Sequence, residues 1–176
     1  PGRVGTDIGS GIGGMGTFAE EETGLREKGP RKVSPFFIPK IIAKMAGGVI
    51  AIRYNFQGAS IPVVTACATG NNALGEAYRA IRHGYLDAVV AGGAEAAIIP
   101  VGVAGFSNMK ALTTCEDPKT ACTPFDARRS GFVLGEGAGV LILENYEHAV
   151  KRGANIYAEL CGYGVTCDAH HITAPH

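Results

Sequence analysis

Short apolar segments alternate with segments of helical periodicity along this chain, and this alternation limits the fold more than any other feature. The predicted strands are Val4–Ile8, Ile61–Thr65, Ala88–Gly92, Phe132–Leu134, Val140–Leu143 and Ile156–Tyr163. Apolar residues at helical spacing predict helices over Pro39–Tyr54, Ala68–His83, Val101–Leu112 and Asn145–Arg152. This order of elements is typical of a layered α/β fold with largely parallel strands. We therefore predict one α/β unit over residues 1–176.

Composition excludes several classes of protein. Sixteen basic and sixteen acidic residues give a formal net charge of zero, so net charge offers no basis for binding nucleic acid. No apolar run approaches the roughly 18 residues that a membrane-spanning helix needs. Glycine is frequent, at 26 of 176 residues, but the segments between the glycines are periodic, which indicates tight turns rather than low complexity.

The cysteines do not form a disulfide or zinc pattern. The chain has five, an odd number, at positions 67, 115, 122, 161 and 167. This spacing favours a reducing compartment, which we take to be the cytoplasm, and lacks the closely paired ligands of structural zinc sites. We expect neither a metal nor another cofactor.

Cys67 lies where a predicted strand breaks into a predicted helix. A thiol at that position is close to the positive end of the helix dipole and to unpaired backbone N–H groups, both of which favour the nucleophilic thiolate. Hydrolases present their catalytic serine on a similar strand–turn–helix. The alternative is a cysteine that packs as a small apolar side chain.

A second motif, Gly9-Ser10-Gly11-Ile12-Gly13-Gly14-Met15-Gly16, contains a literal GxGxxG after a strand. A dinucleotide site would also need a second strand ending in an acidic residue. The residues that follow, Thr23 to Lys32, are polar and typical of turns instead. We therefore do not predict nucleotide binding.

Several segments resemble one enzyme family. The segment Val64-Thr65-Ala66-Cys67-Ala68-Thr69-Gly70-Asn71-Asn72 is similar to the nucleophile segment of the β-ketoacyl-acyl carrier protein synthases of type II fatty-acid synthesis. Further blocks match in the same order and spacing: Gly29–Pro39, Ala91–Ala96, Pro124–Asp126, Gly131–Ala138 and Asp168–Pro175. The resemblance implies a thiolase-like fold of two similar α/β halves, of which this chain covers most of the first. Because the chain opens without Met and ends inside a family motif, we expect an internal piece of a longer protein.

The resemblance implies a two-step reaction. Cys67 would take an acyl chain from acyl carrier protein, with its own N–H as one oxyanion donor, and malonyl-acyl carrier protein would then lose carbon dioxide and extend the chain by two carbons. The family's decarboxylating histidines and lysine belong to the second half. The histidines of this chain, His83, His148, His170, His171 and His176, match none of those positions. This piece should therefore not complete the reaction.

Residues for substrate and partners also follow from the resemblance. Ile12 matches a residue that gates the acyl pocket, and Phe106 matches an aromatic residue of that pocket. Phe37 and Ile38 match positions near the interface of a homodimer, where one subunit closes the acyl pocket of the other, so the resemblance counts them among the substrate-binding residues. The basic residues Arg31, Lys32 and Lys110 match positions that meet acidic acyl carrier protein, where charge complementarity speeds encounter. Without the resemblance, Phe106 could equally well be a core residue of a helix. The pair Arg31-Lys32 would be interpreted as part of a solvent-exposed turn.

Three alternatives remain open at this point. A polyketide-type ketosynthase shares the cysteine setting but commonly has serines where this chain has Ala68-Thr69-Gly70. A non-catalytic interaction subunit of the same fold would usually lack the cysteine. A biosynthetic thiolase would not be expected to show the Gly29–Lys32 and Pro124–Asp126 blocks.

Overall fold

The structure, a computed structural model, describes residues 1–176 and is built around a three-stranded sheet. Its strands are β1 (Val4–Gly9), β2 (Ala88–Glu95) and β3 (Gly137–Glu144), in the order β1-β2-β3. β1 and β2 are parallel, whereas β2 and β3 are antiparallel with Ala88 opposite Glu144. The predicted parallel arrangement is thus right for one of the two pairings.

Six α-helices and two short 3₁₀ helices surround the sheet. The α-helices are α1 (Met15–Lys28), α2 (Phe37–Ile41), α3 (Met45–Tyr54), α4 (Thr69–Arg82), α5 (Pro100–Asn108) and α6 (Tyr146–Lys151). The 3₁₀ helices are Pro30–Lys32 and Ala66–Ala68. No helix has the length and the apolar character that crossing a membrane would require.

Helices α3 and α4 pack on opposite faces of β1. Successive strand residues point to opposite faces. Thr6 donates a hydrogen bond to the Gly47 carbonyl oxygen of α3, at 3.2 Å, whereas the neighbouring Asp7 lies on the α4 side, near Glu76. The sheet is therefore covered by a helix on each side, as the predicted layered fold requires.

The apolar core lies between α4 and β2. Its most buried members are Ala77, Leu86, Val89 and Ala91, and Leu74, Ile81 and Leu143 pack against them. The predicted helix Ala68–His83 is confirmed as α4, and its apolar stripe, Leu74, Ala77 and Ile81, forms this contact. Packing of this stripe fixes α4, and with it the position of the turn that precedes α4.

The predicted helix Pro39–Tyr54 is wrong as a single element, because it is broken between α2 and α3. Ile42 is extended (ψ 119°), and the Ile41 carbonyl accepts a hydrogen bond from the Gly14 N–H at 3.2 Å. In a continuous helix that carbonyl would accept from Met45. The glycine-rich loop therefore divides the helix by taking its acceptor.

Three predicted strands do not join the sheet as ladders. Ile61–Thr65 runs beside β1, but its pairing stops at one bridge, between Thr6 and Ser60, because the Val63 N–H bonds to the Asp7 carboxylate instead. The segment 132–134 makes a single bridge, from Phe132 to Leu112. The segment 156–163 forms no strand.

Two helix boundaries also differ from prediction. α1 continues through the predicted turn as far as Lys28, supported by an ion pair between Glu22 and Arg26 one turn apart. The helix predicted to reach Leu112 ends at Asn108 as α5, and Lys110 then adopts a left-handed conformation (φ 55°). The predicted strands β1, β2 and β3 and the helix α6 are confirmed, with β2 and β3 longer than expected.

Candidate active site

Cys67 is the middle residue of the 3₁₀ turn that leads directly into α4. Its side chain is exposed, so the alternative of a buried apolar cysteine is wrong. The hydrogen bonds within the turn are donated by the backbone N–H groups of Thr65, Ala68 and Thr69, and none is donated by Cys67. The thiol and an uncommitted N–H group of the same residue thus lie together at the N-terminal end of a helix, where negative charge is favoured.

The residue before the cysteine is held in a costly conformation. Ala66 has φ 51°, in the left-handed region, although it carries a Cβ. Such a backbone costs about 1–2 kcal/mol and persists where surrounding contacts determine it. The strained turn projects Cys67 away from the chain, as the strand–turn–helix of hydrolases projects its serine.

Hydrogen bonds hold the turn on its helix side. The Thr65 N–H donates to Thr69 Oγ1 at 2.9 Å, and Thr65 Oγ1 donates to Asn72 Oδ1 at 2.5 Å. Asn72 Nδ2 in turn donates to the Tyr163 hydroxyl at 2.7 Å. Thr69 and Asn72 are both buried, which protects these bonds from exchange with water.

Asp7 holds the chain that enters the turn. Asp7 is 7% exposed, and its Oδ1 accepts the Val63 N–H at 3.1 Å. Burial raises the pKa of Asp7 to about 6; the Val63 bond opposes this rise, and the nearby Glu76 carboxylate adds to it. A carboxyl group with little access to water therefore fixes the segment four residues before Cys67.

Glycines bring the surrounding backbones into close contact. A Cβ on Gly9 would lie 2.2 Å from Thr69 Cγ2 and 2.5 Å from the Val63 carbonyl oxygen. A Cβ on Gly93 would lie 3.2 Å from Gly70 Cα. Gly9 of β1 and Gly93 of β2 therefore pack closely against the chain around the turn and the first residues of α4. Neither position has room for a side chain.

The GxGxxG loop is bonded to a carboxylate of this chain. Glu95 accepts from Ser10 Oγ and from the Gly11 N–H, both at 2.8 Å, and Ser10 Oγ accepts from the Gly13 N–H at 2.8 Å. Two backbone N–H groups that could bind a phosphate are thus already engaged. A Cβ on Gly11 would lie 3.3 Å from the Ala66 carbonyl oxygen, so the loop passes beside the turn that carries Cys67.

The predicted pocket residues are only partly brought together. Ile12, 38% exposed, lies on the loop that passes the turn. Phe106 of α5 packs edge-to-face on Phe132, with ring centroids 5.5 Å apart. A cleft of about 580 Å³ opens beside the loop between Ser10, Lys40 and Glu136, but neither Phe106 nor Cys67 lines it.

The predicted interface and docking residues lie on the surface. On α2, Phe37 contacts Phe18 of α1, with ring centroids 6.0 Å apart, while Ile38 is 56% exposed. The basic residues lie in two places, Arg31 and Lys32 on a 3₁₀ helix and Lys110 beyond α5; all three are exposed and none forms an ion pair.

The hydrogen bonds of the histidines are made with residues outside the turn. His83 caps the C-terminal end of α4, as predicted, and His148 on α6 contacts the Glu144 carboxylate. His171 Nδ1 accepts hydrogen bonds from the N–H groups of Thr173 and Ala174. None of these contacts reaches Cys67.

Four residues around Cys67 were not predicted from the sequence: Asp7, Thr65, Asn72 and Tyr163. The spacing Thr65–Thr69–Asn72, four and then three residues, is the spacing of one helix face and could have indicated the shared cluster. Tyr163 carries no such signal, since it is 91 residues from Asn72 in sequence.

The chain is similar to known proteins over almost its whole length. Residues 1–149 match the family model described as "Beta-ketoacyl synthase, N-terminal domain". The chain is 54% identical over 173 residues to 3-oxoacyl-[acyl-carrier-protein] synthase 2 of Staphylococcus aureus, covering 98% of this chain and 43% of that protein. It is 53% identical over 175 residues to the mitochondrial 3-oxoacyl-[acyl-carrier-protein] synthase of Arabidopsis thaliana, covering 98% and 38%. The chain thus spans less than half the length of these relatives.

Solved structures agree on the fold. A type II polyketide ketosynthase in complex with its acyl-carrier protein superimposes with a TM-score of 0.89 at 35% identity, covering 96% of this chain and 43% of that one. A β-ketoacyl synthase from Burkholderia phymatum superimposes with a TM-score of 0.84 at 35% identity, covering 98% and 42%. The predicted thiolase-like α/β fold, limited to the N-terminal portion, is confirmed.

Proposed function

Since the chain belongs to the β-ketoacyl synthase family, we propose that it carries the acyl-accepting site of a condensing enzyme of fatty-acid synthesis, with Cys67 as the nucleophile. The observation that supports this most is the exposed thiol on a strained turn at the start of α4. The match to synthases named for acyl carrier protein, at 53–54% identity, supplies the substrate class.

The proposed first step is acyl transfer. Cys67 Sγ, as thiolate, attacks the thioester carbonyl of an acyl-acyl carrier protein, and the oxyanion that forms accepts a hydrogen bond from the Cys67 N–H. When the intermediate collapses, the bond from the carbonyl carbon to the carrier's sulfur breaks. The carrier leaves as a thiol, taking up the proton that the cysteine gave up, and an acyl-enzyme remains.

In the complete enzyme, the second step would be a decarboxylating condensation. Malonyl-acyl carrier protein would lose carbon dioxide, and its carbanion would attack the acyl-enzyme to release a 3-oxoacyl product. None of the five histidines of this chain forms a hydrogen bond with Cys67, so we propose only the acyl-transfer step for residues 1–176. Ile12 and Phe106 are proposed to contact the acyl chain, and no cofactor enters the chemistry.

The proposed partner is acyl carrier protein, and Arg31, Lys32 and Lys110 are proposed to dock it. Their charges are exposed and unpaired, which leaves them available to an acidic surface. A related ketosynthase has been solved with its acyl-carrier protein bound. Replacing all three residues by Ala should slow acyl transfer mainly at low salt, because at high salt screening already weakens the attraction in the wild-type protein.

We further propose that the protein forms a homodimer and that it resides in a reducing compartment, the cytoplasm. The extended segment before Cys67 exposes Ile61 and Val64, and α2 exposes Ile38, so apolar surface lies close to the nucleophile turn. We propose that Phe37 and Ile38 lie at the contact with a second copy. Sedimentation should then show weaker self-association for Ile38→Asp than for the matched surface change Ile172→Asp.

The decisive experiment is intact-mass measurement after incubation with long-chain acyl-acyl carrier protein. The expected result is one acyl adduct that is lost in Cys67→Ala and kept in Cys161→Ala, since both cysteines are exposed but only Cys67 lies at a helix start. An adduct that persists in Cys67→Ala, or no adduct on any cysteine, would contradict the proposal.

A polyketide-type function is the second candidate, because a polyketide ketosynthase superimposes closely. Identity is 35% to that structure but 54% to the 3-oxoacyl-[acyl-carrier-protein] synthase 2 of S. aureus, which favours fatty-acid elongation. Acylation by a polyketide intermediate in preference to a saturated acyl chain would reverse this choice.

A further inference from the structure

Tyr163 reaches the nucleophile turn from a distant part of the sequence. Its hydroxyl accepts a hydrogen bond from Asn72 Nδ2 at 2.7 Å, and Asn72 Oδ1 accepts from Thr65 Oγ1 at 2.5 Å. Thr65 is two residues before Cys67. A continuous chain of side-chain hydrogen bonds therefore connects the segment 156–163 to the backbone that presents the thiol.

The Tyr163 side chain packs into a specific site on α4. A Cβ on Gly75 would lie 2.1–2.3 Å from three atoms of the ring, so the ring rests directly on the backbone of α4. The Arg79 guanidinium lies over the Tyr163 ring, with its Cζ 4.9 Å from the ring centroid. In the same segment, the Cys161 carbonyl accepts a hydrogen bond from the Tyr78 hydroxyl at 3.1 Å. The ring is therefore fixed by packing, and its hydroxyl is aimed at Asn72.

The chain of bonds ends at the point where the backbone is strained. Ala66, between Thr65 and Cys67, has φ 51° and must be held there by its neighbours. Thr65 is bonded on both of its donors, from its N–H to Thr69 and from its hydroxyl to Asn72. Asn72 is 7% exposed, so water cannot readily replace either partner.

We propose that Tyr163 is a positioning residue, which acts through Asn72 and Thr65 to hold the turn in the conformation that presents the Cys67 thiol. This inference goes beyond the proposed acyl transfer and rests on it only for its catalytic consequence. Tyr163 does not touch the thiol. Its effect is to restrict Thr65, so that the strained conformation at Ala66 is the populated one.

The test is the rate at which iodoacetamide alkylates Cys67, followed by peptide mass spectrometry in the 176-residue protein. Tyr163→Phe keeps the ring on Gly75 and removes the hydroxyl. Loss of one such hydrogen bond should slow Cys67 alkylation about fivefold. The other four cysteines are exposed and serve as internal controls, whose rates should not change. Tyr157→Phe, at a 95% exposed tyrosine of the same segment, is the matched control and should alter none of the five rates.

A second variant separates positioning from general destabilisation. Thr65→Val removes the hydroxyl at the other end of the chain of bonds and should give a similar reduction. The double variant should react no more slowly than Thr65→Val alone, because residues that act through one path are not additive. Independent effects would instead multiply.

Several results would overturn the inference. It fails if Tyr163→Phe leaves the Cys67 rate within twofold of the wild-type rate, or if the two substitutions multiply. It also fails if all five cysteines become more reactive together, since that would show loosening of the whole structure. Because iodoacetamide needs no acyl substrate, the expected rates combined with no acylation by acyl-acyl carrier protein would reject the proposed function and keep this inference.

Discussion

Two regions of the molecule, the sheet–helix core and the β3 margin, differ in how completely this chain buries their apolar side chains. The sheet–helix core, consisting of β1, β2 and α4, contains most of the buried residues. Of 19 buried residues in the chain, only Gly102, Ala121 and Ala149 lie beyond residue 100. The β3 margin, consisting of β3, α6 and residues 154–163, exposes large apolar side chains, among them Ile142 at 72% and Tyr157 at 95%.

The difference shows where the chain provides its own partners. Around Cys67 the buried side-chain polar atoms are hydrogen-bonded, and the neighbouring glycines Gly9 and Gly93 leave little or no room for a Cβ. Along the β3 margin an apolar cleft of about 1030 Å³ lies between α4, β3 and residues 154–161. The turn that carries Cys67 is thus held mainly by contacts within residues 1–100, and the Asn72–Tyr163 hydrogen bond links it to the β3 margin.

The comparison is tested most strongly by one truncation in each region. Leu86→Ala, at a residue 8% exposed in the core cluster, should lower the free energy of unfolding by about 3 kcal/mol, because it leaves a cavity. Ile142→Ala should change it by less than about 0.5 kcal/mol, since the side chain is mostly in water. Urea denaturation measures both. Similar losses in the two variants would show that the β3 margin is buried in solution.

Ile142→Ala also tests what the exposed surface does. Apolar patches of this kind promote association. Light scattering should show less association for this variant than for the wild-type protein. A wild-type protein that stays monomeric would contradict the expectation.

Glycine substitutions give the next largest contrast. Gly9→Ala should lower the free energy of unfolding by about 2–3 kcal/mol, because its Cβ would overlap Thr69 and the Val63 carbonyl. Gly139→Ala on β3 is the matched control, because a Cβ there meets nothing within 4 Å. Thermal unfolding of the pair distinguishes a close backbone approach from a general cost of replacing glycine in a strand. A Gly139 variant as unstable as the Gly9 variant would remove the contrast.

The same division explains what the sequence could predict. Periodicity located β1, β2, β3 and α4, because burial of an apolar face produces the pattern, and the motif located Cys67. Periodicity failed at Ile41 and Val63, where the hydrogen-bonding partner is Gly14 or Asp7 from a distant segment. It failed also at 156–163, whose apolar residues lie in the open β3 margin without a pairing strand. Partners fixed only by the tertiary fold, such as Tyr163, leave no local signal.

The two regions should respond to pH in opposite directions, and the larger response belongs to the core. Because burial raises the pKa of Asp7 to about 6, this group favours the folded state below pH 4, and the contribution is lost as pH rises through about 6. Asp7→Asn should therefore gain about 2 kcal/mol of stability relative to wild type between pH 4 and pH 7. Urea unfolding at four pH values across that window measures the difference. Parallel curves for the two proteins would show that Asp7 is better solvated than its burial implies.

Glu144, in the β3 margin, should show the reverse and smaller response. The hydrogen-bonded Arg152 guanidinium lowers the pKa of Glu144 to about 2, and His148 contributes to the lowering. A carboxyl group with a lowered pKa stabilises the fold above about pH 4.5, and the contribution disappears as pH falls through about 2. The side chains of Arg152 and His148 are both more than half exposed, so water screens the attraction, and Glu144→Gln should cost less than about 1 kcal/mol at pH 7. The cost should shrink as unfolding is measured from pH 5 down to pH 3, and also in high salt. A cost that grows on acidification would mean that burial disfavours the ionised form of Glu144 and raises its pKa, as burial does for Asp7, and that the β3 margin is covered after all.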